Sequence, residues 1–510
     1  IPFVGFHLAY KLGLFRSEEA RIMNAVRLPA LVVIVVLLVG AFVFRAQEDQ
    51  EESLGRGPVA YSELSLDLSD EEVSGDVWFC VGPTNKLPGI SNQAITITNL
   101  GPAVTEGVRL TISDTEGNST ERAIQIDAQG DLEILTSQER DTALYIGATL
   151  EAPQGGVLVE QRLEALDFSG LDKRSCVTAA SSFWAVPWGT TERPGTTQTL
   201  LLYNPFQATA VADLLFVGNQ GLRETLDSKG IVIPGKSVVV YELTERIPDA
   251  TLLSSYIKVR TGQLVVSGVT VADGSAPSAI KGLHATYGSP EVGGDLFLPG
   301  SDGETLSGSV VIVNPSDTAV EGEVVVRPTD PDVSVEPIGF VLRSGQRQVI
   351  ELSEYSRLEE IGPYSLYIRS LDSPNLAASY IRRYLSDQLP EDTADTSITG
   401  LDGLPAIGYG STYWLMEVPG TVGNPAKITV FNPSLKSIAS IDLRTNDDIS
   451  LPDSFELDPG DRATLEVDAE VLIGVESSSP VIAVREWSGP AGWTSDYGIS
   501  IEDTVVAIER

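Results

Sequence analysis

Histidine, cysteine and positive charge are all scarce in this chain, and each scarcity excludes a class of site. Among 510 residues there are two histidines and two cysteines. His7 precedes a long apolar run, so His284 is the only histidine in the large part that follows it. A catalytic triad or a histidine-rich metal centre would depend on that one residue. We therefore interpret His284 as a structural polar residue, and we expect no catalytic residue, no metal and no cofactor.

Sequence patterns that accompany common catalytic sites are also missing. The chain has no Gly-x-Ser-x-Gly, no His-Glu-x-x-His, no Walker-type phosphate loop and no dinucleotide-binding fingerprint. A glycoside hydrolase needs only two carboxylates at the right separation, but among 71 acidic residues close pairs arise by chance and do not discriminate. The sequence therefore favours a protein that is not an enzyme.

The scarcity of positive charge leaves a strongly acidic chain. Residues 46–510 carry 69 Asp and Glu against 29 Lys and Arg. A surface of this sign repels phosphate backbones and anionic lipids, so we expect no nucleic-acid partner. Solubility is the simplest interpretation of the acidity. A cation store is the alternative, but the chain lacks an Asp-x-Asp-x-Asp-Gly run with a distal Glu.

One long apolar run, Leu28–Phe44, is near the lower length limit for a helix that spans a bilayer, and it predicts a transmembrane helix at residues 28–45. Basic residues precede it in a predicted cytoplasmic segment, 1–27, and an acidic linker follows at 46–72. By the positive-inside rule the N-terminus is cytoplasmic and the remainder lies outside the plasma membrane. A cleaved signal peptide is the alternative. The length of the run and the lack of a small-x-small cleavage site favour an anchor.

A four-fold internal repeat organises the residues beyond the linker. Each copy has an opening strand with an aromatic residue, then an Asn, which Pro follows in the last three copies, then a turn Gly. The markers are Trp78, Phe183-Trp184, Phe297 and Tyr413-Trp414, then Asn99, Asn204, Asn314 and Asn432, then Gly130, Gly235, Gly345 and Gly460. The spacing predicts four domains, at residues 73–180, 181–292, 293–408 and 409–510.

The two cysteines, Cys80 and Cys176, both belong to the predicted exterior part and bracket the first repeat. In an oxidising compartment a pair placed in this way joins the beginning and the end of one domain. We predict a disulfide between them, and two free thiols are the alternative.

Short strands separated by Gly, Pro, Asn and Asp dominate each repeat. The second copy has seven candidate strands, the number typical of an immunoglobulin-like sandwich. Alternation at Ile95-Thr96-Ile97 and at Ile428-Thr429-Val430 predicts half-buried antiparallel strands, and the opening aromatics are expected in the cores. The expected fold class is all-β, with tandem immunoglobulin-like β-sandwich domains after one N-terminal transmembrane helix. A β-propeller with two blades per repeat is the alternative.

Three tryptophans, Trp188, Trp487 and Trp493, fall outside the shared positions of the opening strands. Indole faces stack on sugar rings, and loops at the ends of sandwiches are common binding surfaces. We take these three residues as candidates for glycan binding. Burial in a core or between repeats is the alternative.

The order of several short motifs is similar to that of a known family. These motifs are Trp78-Phe79-Cys80-Val81-Gly82, Leu201-Leu202-Tyr203-Asn204-Pro205 and Val481-Ile482-Ala483-Val484-Arg485. The chain resembles an uncharacterised family of actinobacterial membrane-anchored envelope proteins, a domain of unknown function, over residues 75–490. The first copy departs from the pattern because Leu100 follows its Asn99. The resemblance implies a Gram-positive envelope, alongside machinery that builds cell-surface glycopolymers, and supplies no activity and no site residues.

We therefore expect a non-catalytic, single-pass membrane-anchored scaffold or adaptor outside the cell. Its expected partners are the plasma membrane, through residues 28–45, and envelope proteins or cell-surface glycan. Arranged end to end, four sandwiches of ordinary strand length would extend roughly 150 Å. The alternative function is a glycan-binding module that acts on cell-surface polysaccharide.

Overall fold

The computed structural model describes residues 76–166, 170–219, 221–290, 292–301, 308–371, 376–385, 398–445, 451–452, 454–489, 492–500 and 505–507. The predicted cytoplasmic segment, transmembrane helix and acidic linker lie outside these residues. Helices within the described ranges are single turns, and none of them has the length and apolarity to cross a bilayer.

Strands make up most of the described chain and are distributed over all four repeats. The first repeat holds β1 (Asp76–Pro83), β2 (Ile90–Asn99), β3 (Thr105–Ser113), β4 (Ser119–Ile126), β5 (Asp131–Leu135), α1 (Thr136–Glu139), β6 (Tyr145–Ala152), β7 (Val157–Ala165) and β8 (Leu171–Ser175). The second holds β9 (Phe183–Val186), β10 (Thr196–Asn204), β11 (Ala210–Gly218), β12 (Gly221–Arg223), β13 (Ile231–Ile233), β14 (Ser237–Glu242), α2 (Leu243–Arg246), β15 (Ser254–Thr261), β16 (Val265–Asp273) and β17 (Lys281–Tyr287).

The remaining strands belong to the third and fourth repeats. The third holds β18 (Asp295–Ser301), β19 (Gly308–Val313), β20 (Val320–Pro328), β21 (Ile338–Leu342), β22 (Arg347–Glu351), two 3₁₀ turns (Leu352–Glu354 and Ser356–Glu359), β23 (Tyr364–Ser370), β24 (Ala377–Leu385) and β25 (Ile398–Pro405). The fourth holds β26 (Tyr409–Pro419), β27 (Ala426–Phe431), β28 (Ala439–Thr445), β29 (Ser454–Leu457), β30 (Arg462–Val467), β31 (Glu470–Gly489), β32 (Gly492–Tyr497), β33 (Ile499–Ser500) and β34 (Val505–Ala507).

Each repeat consists of two antiparallel sheets between which the chain passes back and forth. In the first repeat the orders are β1-β6-β3-β4 and β5-β2-β7-β8, and residues of both sheets share one core. The second and third repeats have the corresponding orders. In the fourth, the long strand β31 pairs with β26 and β28 in one sheet and with β27 and β32 in the other. The prediction of an all-β chain is confirmed. Because the four strands of a sheet are not consecutive in the chain, the described parts of these repeats lack the paired four-stranded meanders that the propeller alternative requires.

The second sheet of each repeat is buried on more than one face. Ile95 and Ile97 lie in the first core and Thr96 is half-buried, as the alternation predicts. Thr429, however, is only 2% exposed. Its hydroxyl accepts a hydrogen bond of 3.2 Å from Arg462, which also donates to carbonyls of the third repeat. The expectation of a solvated face at Thr429 is wrong because a neighbouring repeat covers that face.

The opening tryptophans fill the cores as predicted, whereas Phe183 is half-buried and Phe297 of the third repeat packs in the core of the fourth. Trp78, Trp184 and Trp414 are at most 1% exposed. The indole N–H of Trp184 donates to the Leu264 carbonyl at 2.8 Å, and that of Trp414 donates to the Val481 carbonyl at the same distance. Each of these two indoles therefore ties the first strand of its repeat to the strand that crosses the core.

The repeated Asn residues join the end of one strand to the edge of the other sheet. The Asn204 amide donates to the carbonyls of Ala208 and Ile233 at 2.7 and 3.1 Å, and its oxygen accepts from the Phe206 N–H at 3.1 Å. Asn99, Asn314 and Asn432 make the corresponding bonds. All four side chains are buried, so their role is to satisfy backbone groups that would otherwise be buried without partners.

The repeats contact one another in a cycle. Tyr203 of the second repeat bonds Thr149 of the first through its hydroxyl, at 2.7 Å. Val311 of the third repeat packs with Trp188 of the second, and Phe297 of the third belongs to the core of the fourth. Tyr413 and Leu415 of the fourth repeat then join the core of the first. The end-to-end arrangement is therefore wrong, since the first and last repeats are in contact.

The predicted disulfide is confirmed. Cys80 in β1 is bonded to Cys176, which directly follows β8, with 4.9 Å between the two Cα atoms and a sequence separation of 96. Both side chains lie in the core of the first repeat. The bond therefore fixes the first strand of that repeat to the end of its last strand.

The side-chain hydrogen bonds of the repeated Asn residues predict that replacing one of them by Asp strongly lowers stability. Asn204→Asp removes both amide donors and places a carboxylate beside two buried carbonyls, so we expect the free energy of unfolding to fall by about 3 kcal/mol. Chemical denaturation measures the change. Asn118→Ala, in an exposed turn, is the control and is expected to change stability by less than about 1 kcal/mol. Equal effects of the two substitutions would contradict the assigned role.

The disulfide predicts that the protein loses stability when both cysteines are replaced. Replacing both cysteines by Ala releases a loop of nearly a hundred residues in the unfolded chain, and we expect the protein to be destabilised by about 4 kcal/mol. Urea denaturation of the variant and of the reduced wild-type protein is expected to give matching midpoints. A midpoint unchanged in both would show that the bond does not constrain the fold.

Candidate functional site

One edge strand from each repeat, β8, β17, β25 and β32, lies where the repeats meet, and we call these four the central strands. The Lys173 N–H of β8 donates to the Thr494 hydroxyl of β32 at 3.0 Å. The Ala285 N–H of β17 donates to Asp172 at 2.9 Å, and the Ser495 N–H of β32 donates to Asp402 of β25 at 3.0 Å. All four repeats therefore meet where these strands lie.

Two glycines permit the close approach of these strands. A Cβ atom at Gly403 would lie 2.8 Å from the Nε2 atom of His284 in the neighbouring repeat. Gly492 has a φ of 150°, and a Cβ atom there would lie 2.8 Å from the Leu171 nitrogen. A larger residue at either position would push the strands apart.

Charged side chains fill the space between these strands and their neighbours. The set, which we call the central network, is the carboxylates Glu160, Asp172, Asp402, Glu417, Glu486 and Asp496 with the cations Lys173, Arg174, Arg382 and Arg485. The side chain of Asp496 is 14% exposed, that of Glu417 is 12% exposed, and the others are 8% exposed or less. Such charges are tolerated in a protein interior only when they are paired.

One half of the central network joins the first three repeats to the fourth. Arg174 binds both oxygens of Asp172 through Nε, at 2.9 and 3.0 Å, and donates through Nη2 to the Gly403 carbonyl at 2.9 Å. Arg382 pairs with Asp402 at 2.8 Å and with Glu486 of the fourth repeat. Burial raises the pKa of Asp402, but the charges of Arg382 and Arg174 outweigh it and hold that pKa below its usual value. Asp402 is therefore an ionised centre between two guanidinium groups.

The other half joins the first repeat to the fourth. The Lys173 ammonium lies 3.0 Å from Glu160 and 2.8 Å from Glu417. Arg485 of the fourth repeat lies 2.5 Å from Glu160 and 3.7 Å from Asp496. Burial opposes ionisation of Glu160, but Arg485 and Lys173 lower its pKa to about 2. Burial has the opposite outcome at Glu417 and Asp496, whose pKa values rise to about 7 and about 6.

His284 lies within this arrangement, as a buried polar residue. Its Nδ1 atom is 3.1 Å from Arg174 Nη2, and since arginine can only donate, Nδ1 is the acceptor. Trp188 meets the imidazole edge-on, with 5.7 Å between the ring centroids. Burial lowers the pKa of His284. The imidazole is therefore a neutral acceptor that helps to satisfy Arg174, which agrees with its structural interpretation.

The three candidate tryptophans do not come together. Trp188 is 3% exposed and packs between the second and third repeats. Trp487 and Trp493 lie on the two strands of one hairpin and are both half-buried. Trp487 is opposite Thr494 and Trp493 is opposite Ser488, so the two indoles occupy opposite faces of the hairpin. They cannot form one stacking platform, and Trp188 presents no free ring face.

A small cavity lies beside the central network. Its volume is about 10 Å³, and its polar lining residues are Gln161, Asp172, Arg174, Ser267 and Tyr287. That volume holds roughly one water molecule. No group of three or more His, Cys, Asp or Glu side chains in the described part of the chain is arranged to hold a metal ion. The contacts of the central network show the mutual neutralisation of buried charges.

Sequence reasoning missed the central network. A signal was present in β8, where three consecutive charged residues, Asp172, Lys173 and Arg174, occupy most of a short strand. Adjacent opposite charges within a strand also occur on solvated edges, so the pattern alone does not predict burial. Only the contacts among the central strands β8, β17, β25 and β32 identify these residues as interior.

The fold and the central network define an all-β repeat protein whose four units close on a buried ionic centre. The chain belongs to a family of unknown function (DUF5719), whose model matches residues 135–396, just over half of the sequence. Membership of an uncharacterised family is thereby confirmed, and the actinobacterial origin stays a prediction.

Similarity to characterised proteins is slight. No curated protein matches the chain. A crystal structure of Streptomyces avermitilis α-L-rhamnosidase complexed with L-rhamnose is similar at 8% sequence identity and a TM-score of 0.14, over 72% of this chain and 46% of that chain. The chain thus spans less than half the length of that protein. At this TM-score the likeness carries no argument about fold or function.

The central network predicts that removing one charged partner of a buried ion pair strongly destabilises the protein. Asp402→Asn leaves Arg382 and Arg174 short of a buried counter-charge, and we expect the free energy of unfolding to fall by about 3–5 kcal/mol. Glu151→Gln, which removes an exposed partner of Arg109, is the control and is expected to cost no more than about 1 kcal/mol. Thermal and chemical denaturation distinguish the two. A near-neutral Asp402→Asn would show that the network does not hold the repeats together.

Proposed function

We propose that this protein is a non-catalytic, single-pass membrane-anchored scaffold or adaptor of the bacterial cell envelope, with its repeats outside the plasma membrane. In this proposal each repeat is an immunoglobulin-like sandwich in the broad sense of two packed antiparallel sheets. The observation that carries the proposal is the location of the charged groups. The central network is buried among the four repeats, where a substrate cannot reach it.

The cyclic packing of the repeats supports this proposal. Each repeat contacts two others through apolar cores, and the ionic centre adds contacts among all four. A body built in this way resists bending between its units, unlike beads on flexible linkers. It can therefore hold bound proteins in a fixed geometry.

Charge distribution supports the expectation that nucleic acid is not a partner. Lys173, Arg174, Arg382, Arg462 and Arg485 are all buried, so a sizeable share of the few cations is withdrawn from solvent. Carboxylates of the central network are buried with these cations, so the exposed surface keeps the strongly acidic balance of the composition. Proteins with complementary basic patches are the partners that such a surface attracts.

The anchor and the compartment remain proposals that rest on sequence. The apolar run 28–45 and its charged flanks favour a signal anchor with a cytoplasmic N-terminus. The disulfide between Cys80 and Cys176 agrees with an oxidising exterior.

A glycan-binding module is the second candidate function. The observation that favours it is the hairpin of β31 and β32, where Trp487 and Trp493 each keep part of the indole accessible. The two rings lie on opposite faces, so each would stack on sugar alone. Stacking on a single ring gives weak binding, which places this candidate behind the scaffold.

Crosslinking in intact cells, followed by mass spectrometry, tests the scaffold proposal. We expect reproducible capture of specific envelope proteins by the anchored chain, and a reduced yield when acidic surface residues are replaced. The matched control is an unrelated acidic domain on the same anchor. Capture of wall polysaccharide without a reproducible protein would favour the glycan-binding module instead.

The tryptophan hairpin gives a direct test of the two functions. In a scaffold, Trp487→Ala with Trp493→Ala lowers stability by about 2–4 kcal/mol because partly buried indoles are lost, and retention on cell-wall polysaccharide is unchanged. Denaturation and a sedimentation assay with purified wall measure the two effects. Loss of wall retention by a variant that is still folded would reject the scaffold in favour of glycan binding.

A further inference from the structure

The contact between the first and fourth repeats contains more buried carboxylates than cations. Glu160 and Lys173 come from the first repeat, and Glu417, Arg485 and Asp496 come from the fourth. Arg174 also acts on Asp496 electrostatically, but its guanidinium is hydrogen-bonded to Asp172 and to the Gly403 carbonyl. With every group ionised, three carboxylates face two cations at this contact.

The other half of the central network has the same ratio of charges. Around Asp402 the carboxylates Asp172, Asp402 and Glu486 pair with Arg174 and Arg382. The whole network thus has six carboxylates and four cations. Water is largely excluded, so uncompensated negative charge is costly here and the binding of protons is the simplest way to remove it.

Glu417 is the group best placed to carry such a proton. Its Oε1 atom accepts from Lys173 at 2.8 Å, whereas Oε2 has no hydrogen-bond partner among the described residues. Glu160 and Asp496, by comparison, are each held by Arg485, and the Ser175 N–H donates to Asp496 at 2.7 Å. A proton on Oε2 of Glu417 leaves every one of these bonds intact.

We propose that the contact between the first and fourth repeats is a proton-controlled latch, closed when Glu417 holds a proton and loosened when that proton is lost. The groups that face Glu417 are Lys173 on β8, Glu160 on β7 and Arg485 on β31. Asp496 on β32 is the second group whose protonation relieves the excess. This inference does not rest on the proposed scaffold function.

The direction of the pH effect follows from the change in proton affinity on folding. Burial, followed by the charge of Glu160, raises the pKa of Glu417 from its ordinary 4.5 to about 7. The folded contact therefore binds the proton more tightly than the unfolded chain does. The stability that this group contributes is fully present below pH 4.5 and is lost as the pH rises through about 7. Raised proton affinity at Asp496 acts in the same direction, with its pKa at about 6.

Other buried titratable groups change the stability of the protein in different pH ranges or in different parts of the structure. Glu160 has its pKa lowered from 4.5 to about 2, so its contribution is lost as the pH falls from 4.5 to about 2. Burial lowers the pKa of His284 below its ordinary 6.5, and this residue therefore reduces stability as the pH falls below that value. His284 contacts Arg174 rather than Glu417, so a local measurement separates the two effects.

Hydrogen exchange of the full chain at about pH 5.5 and about pH 8.0, corrected for the intrinsic exchange rate, tests the latch. We expect protection of β8, β26 and β32 to fall by about tenfold between the two pH values. Peptides at the contact between the second and third repeats serve as an internal reference and are expected to change much less. Unchanged protection at the first–fourth contact in the wild-type protein would overturn the proposal.

Single substitutions test whether Glu417 causes the pH dependence of hydrogen exchange. Glu417→Gln keeps an acceptor for Lys173 without a titrating group, and we expect β8 and β32 to stay protected at the higher pH. Glu476→Gln, an exposed carboxylate on β31 that pairs with Arg444, is the matched control and is expected to behave as wild type. Asp496→Asn is a second variant, expected to weaken the pH dependence in part. Full pH dependence in both Glu417→Gln and Asp496→Asn, or its loss in Glu476→Gln, would reject the assignment.

Discussion

The packing of the four central strands, β8, β17, β25 and β32, against one another is the constraint on which the rest of this structure depends. Each of these strands is the edge of a sheet in its own repeat, and an exposed edge invites pairing with other chains. In this protein the edges are turned toward each other and covered. The bonds from Lys173 to Thr494 and from Ser495 to Asp402 connect them without merging them into one sheet. Charged side chains then occupy the space that remains.

An ionic centre suits this position better than an apolar one for reasons of specificity. Apolar cores tolerate many registers, but a pair such as Arg382 with Asp402 is satisfied in only one arrangement. The bonds of Arg174 reach three repeats, through Asp172, His284 and Gly403. We infer that the network selects one relative placement of the repeats, while the apolar contacts between them provide most of the stability.

Much of the fold could be predicted from the sequence, because its signals are local. Asn-Pro pairs, turn glycines and opening aromatics identified the repeats, and the placement of Cys80 and Cys176 identified the disulfide. The contacts between repeats were not predicted, although strands such as β19 held a clue. Its Val310–Val313 run is apolar without alternation, which indicates burial on both faces. The partner of the second face is not encoded locally, so the sequence could not distinguish a cycle from an open array.

The contact between the first and fourth repeats also limits how such a protein can evolve. An open solenoid gains or loses units easily, since each new unit needs only one neighbour. In this chain Tyr413 and Leu415 of the fourth repeat complete the core of the first. A duplicated or deleted copy would leave that core without its last residues and the ionic centre without its counter-charges. We therefore expect related proteins to keep four repeats in this cycle and to vary mainly in loops and outward-facing strands.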